Sequence, residues 1–179
     1  MMDNKNLKQA RAAFVSLCNV LDADEWHYEK DADEMEIDCT AQGDDLPIPI
    51  RIRVDGERLL VSLYSRLPFT VSEDRRREMA VAVSRANYNM VDGSFDYDIS
   101  NGYILFRITA SIRDSLIGEN ALRYLVYCAC NTVDHYNDKL LLVAKSAMTF
   151  DEVAQFIDHG EYGDGDGTVQ APEQLVQKA

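Results

Sequence analysis

The sequence predicts an α+β fold in which helices cover one face of an antiparallel sheet. Two turn signals support this prediction, because Asp55-Gly56 and Asn101-Gly102 each separate two runs in which apolar and polar residues alternate. Other segments space their apolar residues at helical intervals instead. The predicted order is helix, three strands, helix, two strands and helix, followed by a short extra helix.

The first helix is predicted over residues 5–21, where apolar residues recur at alternating intervals of three and four positions. An acidic stretch follows, in which Met35, Ile37 and Cys39 alternate with polar residues as they would on a half-buried strand. A further short strand around residues 26–29 is left open by the pattern.

The two turn signals also predict how the strands pair. A two-residue turn at Asp55-Gly56 places Val54 opposite Glu57, and apolar residues of the two strands then face each other. The predicted pairs of the first hairpin are Ile52–Leu59, Ile50–Val61 and Ile48–Leu63. Those of the second hairpin are Ile99–Ile104, Tyr97–Phe106 and Phe95–Ile108, with Asp96 opposite Arg107 on the other face.

The second helix is predicted between the hairpins, with Thr70 as its N-cap and Glu73 at the spacing of a capping box. Its core stripe consists of Met79, Val83, Ala86 and Met90. Val81 and Tyr88 lie away from this stripe, so the helix has more apolar surface than one sheet contact would cover. This excess predicts a surface for a partner or a second copy of the chain.

The third helix is predicted to begin after Gly118 and to be the main cover of the sheet. Tyr124 and Tyr127 add apolar area away from its core side, and they extend the predicted partner or dimer surface. Thr149 and Glu152 repeat the capping-box spacing before a short fourth helix that ends near residue 160.

One domain is expected over residues 1–160, because 179 residues with 46% hydrophobic content are enough for a single core. Residues 161–179 are rich in Gly and Asp and show no periodicity, which predicts a flexible tail. The DGDGT segment within it lacks the Gly and Glu positions of a calcium loop that starts at Asp164.

The composition limits the classes of partner. The formal net charge of −13 argues against broad capture of nucleic acid, which needs a basic face. No apolar run approaches the roughly 20 residues that span a bilayer. Four cysteines without a CxxC spacing, together with an N-terminal segment that lacks the apolar core of a signal peptide, predict free thiols and a cytoplasmic location.

The segment LYSRLPFTVSEDRRREMAVAVSRANYNMVDGSFDYDISNGYILFR, residues 63–107, carries a consecutive set of motifs. An S-x-L-P step leads into a helix that opens with acidic residues and arginines. An N-Y pair and a G-x-F-x-x-D pattern follow, before a turn and a strand. The motif residues are Ser65, Leu67, Pro68, Glu73, Asp74, Arg75, Arg76, Asn87, Tyr88, Gly93, Phe95 and Asp98.

These motifs resemble the YbjN family, described as bacterial sensory transduction regulators. The order of elements over residues 5–144 also resembles the fold of the type III secretion chaperones. The resemblance implies a homodimeric, non-enzymatic module that binds a segment of another protein in a chaperone-like or regulatory role. It transfers no catalytic residue and no cofactor to this chain.

Three arginines in a row, Arg75, Arg76 and Arg77, form the candidate anion site at a helix N-terminus, where free N–H groups favour negative charge. An alternative function follows from it, namely a regulator that senses a small anion. The competing interpretation is that these side chains pair with the chain's own carboxylates. His135 stands between Asp134 and Asp138, but a single His more commonly has a structural role than a metal-binding one, so no metal is predicted.

Overall fold

The computed structural model describes residues 4–88, 90–113, 117–146 and 148–161, and it shows four α-helices and six strands. In chain order these elements are α1 (Asn4–Ala23), β1 (Tyr28–Asp31), β2 (Glu36–Gln42), β3 (Pro47–Asp55), β4 (Leu60–Arg66), α2 (Arg76–Tyr88), β5 (Ser94–Asp98), β6 (Tyr103–Ser111), α3 (Glu119–Lys145) and α4 (Phe150–Glu161). A short 3-10 turn, Glu73–Arg75, leads into α2. The predicted α+β class is confirmed.

The six strands form one antiparallel sheet in the order β1-β2-β3-β4-β6-β5. The predicted count of three strands before α2 is wrong, because β1 adds a fourth. Its residues are mostly exposed, so they lack the alternation that marks the other strands. Pairing with the edge of β2, from Tyr28 opposite Cys39 to Asp31 opposite Glu36, makes this segment a strand.

The first hairpin has a different register from the predicted one. Ile52 pairs with Leu63 rather than Leu59, because the turn is four residues long instead of two. Asp55 stabilises the longer turn, since its carboxylate accepts the backbone N–H groups of Glu57 and Arg58 at 2.8 and 2.9 Å. A shift by an even number of residues leaves the same side chains facing the core.

The second hairpin is shifted for the same reason. Phe95 pairs with Phe106 rather than Ile108, and Ile99 lies in the turn rather than opposite Ile104. Asp98 accepts the N–H of Ser100 at 2.9 Å through its side chain. Its backbone carbonyl also accepts the N–H of Gly102 at 2.7 Å.

On the outer face of this hairpin, the expected neighbours Asp96 and Arg107 still meet. They are now diagonal rather than directly opposite each other, and their side chains form an ion pair at 2.9 Å. The contact survives the change of register because long side chains reach diagonal positions on a sheet.

The core lies between the sheet and the helices. The inward residues of β3 are among the most buried in the described chain, and so are the facing residues of α1 and α3. Burial of this apolar area is the main favourable term in the folding of the domain. The members of this layer include Leu17, Leu21, Ile48, Ile50, Ile52, Leu122, Val133 and Leu140.

The second helix begins later than predicted. Thr70 is exposed and is not its N-cap, because residues 67–71 continue beside β6 in an extended course. The N–H of Leu67 donates to Ile104, and that of Val71 donates to Gly102. The predicted stripe is otherwise confirmed, since Met79, Val83 and Ala86 are buried. Met90, which is half-buried, lies beyond the helix end.

The capping box of α4 is present as predicted. The Thr149 N–H donates to the Glu152 carboxylate at 2.8 Å, and the Glu152 N–H donates back to the Thr149 hydroxyl at 3.4 Å. The helix runs to Glu161, so all but the first residue of the predicted tail, together with its DGDGT segment, lies outside the described residues.

Asn87 ties the last turn of α2 to β5. Its side-chain amide donates to the carbonyl of Phe95 at 2.9 Å and accepts the N–H of Phe95 at 2.8 Å. Phe95 thereby gains a partner on the open edge of the sheet. Gly93, which has a φ of +79°, lies against the ring of Phe106, where a Cβ would collide. These contacts give the Asn, Gly and Phe positions of the motif a structural role.

We expect Asn87→Ala to lower the free energy of unfolding by about 1–3 kcal/mol, because it leaves the N–H and the carbonyl of Phe95 without their partner. Urea denaturation followed by circular dichroism measures this change. Asn131→Ala, at a half-buried position on α3, is the matched control. Equal stability of the two variants would contradict the role assigned to Asn87.

Candidate functional site

Two of the three consecutive arginines are engaged with backbone carbonyls of neighbouring segments. The guanidinium of Arg75 donates to the carbonyl of Met148 at 3.2 Å and lies 3.8 Å from the carboxylate of Glu78. Arg76 donates to the carbonyl of Ser100 at 2.7 Å, in the turn between β5 and β6. These contacts explain why Arg75 and Arg76 occupy the start of a helix, where the helix dipole disfavours positive charge. They connect α2 to the segment before α4 and to the second hairpin.

Arg77 is the exposed member of this cluster. Arg75 and Arg76 reach different segments, Met148 and Ser100 respectively, so the three side chains do not converge on one point. Pairing with the chain's own carboxylates explains only part of these contacts. Arg75 pairs with Glu78, but Arg75 and Arg76 both donate to backbone carbonyls. The structural interpretation of the cluster is therefore better supported than the anion site.

The two positions are expected to respond differently to mutation. Arg75→Ala should lower the free energy of unfolding by about 1–3 kcal/mol, because it removes a charged hydrogen bond and leaves the Met148 carbonyl and the Glu78 carboxylate without a partner. Arg77→Ala, the adjacent control, should change it by less than about 0.5 kcal/mol. Chemical denaturation of both variants measures these changes. An equal loss of unfolding free energy in the two variants would contradict the structural role assigned to Arg75.

Three exposed apolar residues come from the end of α2, the loop after it and the first turns of α3. They are Tyr88, Val91 and Tyr124, which are 77%, 95% and 43% exposed. The Tyr124 hydroxyl donates to the carboxylate of Asp92, next to Val91, and this bond links the loop after α2 to α3. The guanidinium of Arg85 lies 5.5 Å from the centre of the Tyr88 ring. We call these three apolar residues the tyrosine surface.

The four predicted surface residues do not form one patch. Tyr88 and Tyr124 belong to the tyrosine surface. Tyr127 is half-buried and makes an edge contact with Trp26, their ring centres being 6.5 Å apart. Val81 is also half-buried, on the side of α2 that carries Arg85. Val91 was absent from the prediction, because a single apolar residue in a loop has no periodicity.

A wide groove of about 1130 Å³ lies on the outer face of the sheet, between β1 and the ends of β4 and β6. Tyr64, Arg66 and Leu105 line it on the outer face. The guanidinium of Arg66 stacks on the ring of Tyr103 at 3.8 Å, while Arg51 in the same groove is paired with Asp38 at 2.8 Å. The lining of the groove thus mixes charged side chains with aromatic rings.

A second, acidic depression of about 440 Å³ surrounds His135. Its carboxylates come from Asp44, Asp45, Asp134 and Asp138. The ring of His135 lies 3.0 Å from the Lys139 ammonium, and Asp134 accepts the N–H of Asp44 at 2.9 Å. Within the described residues, no group of three or more His, Cys, Asp or Glu side chains has the geometry to hold a metal ion.

The pKa of Asp134 is raised, first by partial burial and then by repulsion from Asp44, Asp45 and Asp138. A raised carboxyl pKa adds stability at low pH, and this contribution is lost as the pH rises from the ordinary value of 3.8 through the folded-state value. Asp134 is therefore destabilising when it is ionised.

We expect Asp134→Asn to raise the free energy of unfolding at pH 7, because the amide oxygen still accepts the Asp44 N–H while the charge is gone. The gain should shrink as the pH falls through the carboxyl range. Urea denaturation at several pH values measures it. Asp33→Asn, at an exposed position in the turn after β1, removes the same charge as a control. A gain that does not vary with pH would contradict the assignment.

All four cysteines are free thiols, as predicted. Burial raises the pKa of Cys39 to about 12 and also raises the pKa of Cys128 and Cys130, so these side chains remain in the thiol form. The described helices include none that is long and apolar enough to cross a membrane.

Comparison with known proteins identifies the class of this chain. A family model with the description "Putative bacterial sensory transduction regulator" matches residues 14–142, which is more than half of the sequence. The chain therefore belongs to the YbjN family, and the resemblance of residues 63–107 is confirmed.

The fold of this chain is similar to a solved structure. The crystal structure of YbjN from E. coli, "a putative transcription regulator", matches with a TM-score of 0.50 and 10% sequence identity. The match covers 72% of this chain and 87% of the E. coli chain. At this identity the likeness shows a shared fold alone. No curated protein sequence gives a significant match.

Proposed function

We propose that this YbjN-family chain is a non-enzymatic regulatory protein that binds a segment of another protein through the tyrosine surface. The observation that carries the proposal is the exposure of Tyr88, Val91 and Tyr124, together with the hydrogen bond from Tyr124 to Asp92 that links the loop after α2 to α3. Aromatic residues contribute strongly to protein interfaces when they are desolvated. A regulatory family also supports a partner rather than a substrate.

The exposure of Tyr88 is the strongest support for this protein-binding proposal. In the N-Y pair of the motif, Asn87 has a clear structural role because it binds the backbone of Phe95 on both sides. Tyr88 is 77% exposed, and the guanidinium of Arg85 lies 5.5 Å from the centre of its ring. Its ring therefore adds little to the stability of the fold, and binding to a partner is the use that its chemistry supports.

The charge of the chain indicates the chemistry of the partner segment. The net charge is −13, and Asp92 lies within the tyrosine surface, bonded to Tyr124. A segment with an apolar anchor flanked by Lys or Arg would complement both properties. Electrostatic attraction of this kind speeds association and weakens as the salt concentration rises.

In the absence of a partner segment, the same surface is the proposed contact of a homodimer. Two copies related by a two-fold axis would place the same apolar residues against each other, as in most symmetric dimers. The chaperone-like version of the function, in which a dimer holds an extended client segment, follows from the resemblance to secretion chaperones and remains a prediction.

We expect the double change Tyr88→Ser and Val91→Ser to weaken self-association at least tenfold, because it removes the exposed apolar anchors. Analytical ultracentrifugation at micromolar concentration measures this. The same variant should recover less of any partner that the original chain captures at low salt. Ile99→Ser is the matched control, since Ile99 is 51% exposed in the turn between β5 and β6, outside the tyrosine surface.

Three results would count against this proposal. Sedimentation of the chain only as a monomer would contradict the proposed dimer. Retention of every partner by the double variant would contradict the assignment of binding to the tyrosine surface. An equal loss of partners by the Ile99→Ser control would contradict it too.

The alternative function, a regulator that senses a small anion at Arg75, Arg76 and Arg77, has less support. Two of these side chains bind the carbonyls of Met148 and Ser100. An anion there would compete with hydrogen bonds that already connect elements of the fold.

A further inference from the structure

The fourth helix packs against α2 and is joined to it by an apolar contact. Val153 and Ile157, four positions apart and so on one face of α4, are both 0% exposed. Phe156 is half-buried beside them. The opposite face carries exposed residues, including Gln155. The helix therefore lies on α2 as an amphipathic ligand helix lies in a groove.

An ion pair fixes the register of this contact. The Arg85 guanidinium donates two hydrogen bonds to the carboxylate of Asp158, one of them at 3.0 Å through Nε. Val81 lies four residues before Arg85, so the two side chains share the side of α2 that faces α4. The half-buried state of Val81, one of the predicted partner residues, is consistent with cover by α4.

Three features distinguish α4 from the other helices, although its Val153 and Ile157 belong to the same core cluster as residues of the sheet and the other helices. It begins with its own capping box, formed by Thr149 and Glu152. It lies beyond residue 142, where the match to the family ends. The principal surface that it covers belongs to α2, and the sheet is covered by other helices.

We infer that this side of α2, defined by Val81 and Arg85, is a docking groove for an amphipathic helix, and that α4 occupies it as a displaceable internal ligand. The partner helix has two apolar residues four positions apart, followed directly by an acidic residue that binds Arg85. The inference rests on the proposed protein-binding function and adds to it a second surface with its own regulation.

Arg85 couples this groove to the tyrosine surface. The same guanidinium binds Asp158 of α4 and lies 5.5 Å from the ring of Tyr88. Departure of α4 removes the carboxylate of Asp158 from Arg85, and the charge near the Tyr88 ring then differs from that of the occupied groove. An occupied groove and a bound tyrosine surface therefore influence each other through one side chain.

The test uses a fluorescein-labelled peptide with the sequence of residues 148–161, MTFDEVAQFIDHGE, as the probe for the groove. The unchanged full-length chain should bind it weakly, because its own α4 competes at an effective concentration on the order of millimolar. Full-length Ile157→Asp, whose α4 no longer packs, should bind it at least tenfold more tightly by fluorescence anisotropy. Full-length Gln155→Asp is the matched control and should bind as the unchanged chain does.

Equal binding by the unchanged chain and Ile157→Asp, or no binding by either, would overturn the inference. Loss of cooperative unfolding in Ile157→Asp would also overturn it, since α4 would then be part of the core. Two charge variants give an independent check. Asp158→Arg should increase binding of the peptide, because it breaks the ion pair with Arg85. The double variant Asp158→Arg and Arg85→Glu should bind the peptide less than Asp158→Arg does, because the reversed ion pair holds α4 in the groove again. No response to Asp158→Arg contradicts the assigned register.

Amide hydrogen exchange of the unchanged chain gives a second measurement. The amides of α4 should exchange at least tenfold faster than those of α3, because α4 opens without unfolding of the domain. Equal rates would contradict a displaceable α4. If the peptide test fails while the Tyr88→Ser, Val91→Ser variant loses binding as expected, only the docking groove is rejected. If the peptide test succeeds while that variant behaves as the unchanged chain does, only the tyrosine surface is rejected.

Discussion

The packing of Phe95 against Phe106 and Tyr136 is the contact on which the rest of this structure depends. The ring centres lie 5.3 and 5.5 Å apart in edge-to-face geometry, and they join β5, β6 and α3. Gly93 makes room for the Phe106 ring, and Asn87 holds the backbone of Phe95. The position of α2 relative to the sheet follows from these contacts, and with it the places of Val81, Arg85 and Tyr88.

The motif that identifies the family is mostly a set of structural positions. Asn87, Gly93, Phe95 and Asp98 each satisfy a backbone or packing requirement of α2 and the second hairpin. Arg75 and Arg76 belong to the same scaffold, because they bind carbonyls in two other segments. Tyr88 differs from them because it is an exposed aromatic residue. A family signature can therefore identify a fold while only one of its residues points to a function.

The two proposed surfaces both include residues of α2, and this follows from its place in the fold. One side of this helix is buried, with Met79, Val83 and Ala86, and the helix packs against β5 and α3. A second side of α2 contacts α4, and Tyr88 at the end of the helix belongs to the tyrosine surface. A helix that contacts a sheet along one stripe only must solvate its remaining apolar residues or cover them with another element.

The sequence by itself determined the fold class, the inward face of each main strand and the helix stripes, because these depend on local periodicity. Tertiary structure decided the hairpin registers, since the side chains of Asp55 and Asp98 build longer turns than the Asp-Gly and Asn-Gly signals indicate. It also decided that β1 is a strand and that the start of α3 is linked to the loop after α2. These features depend on contacts between residues far apart in the chain, such as Tyr124 with Asp92, which no local pattern records.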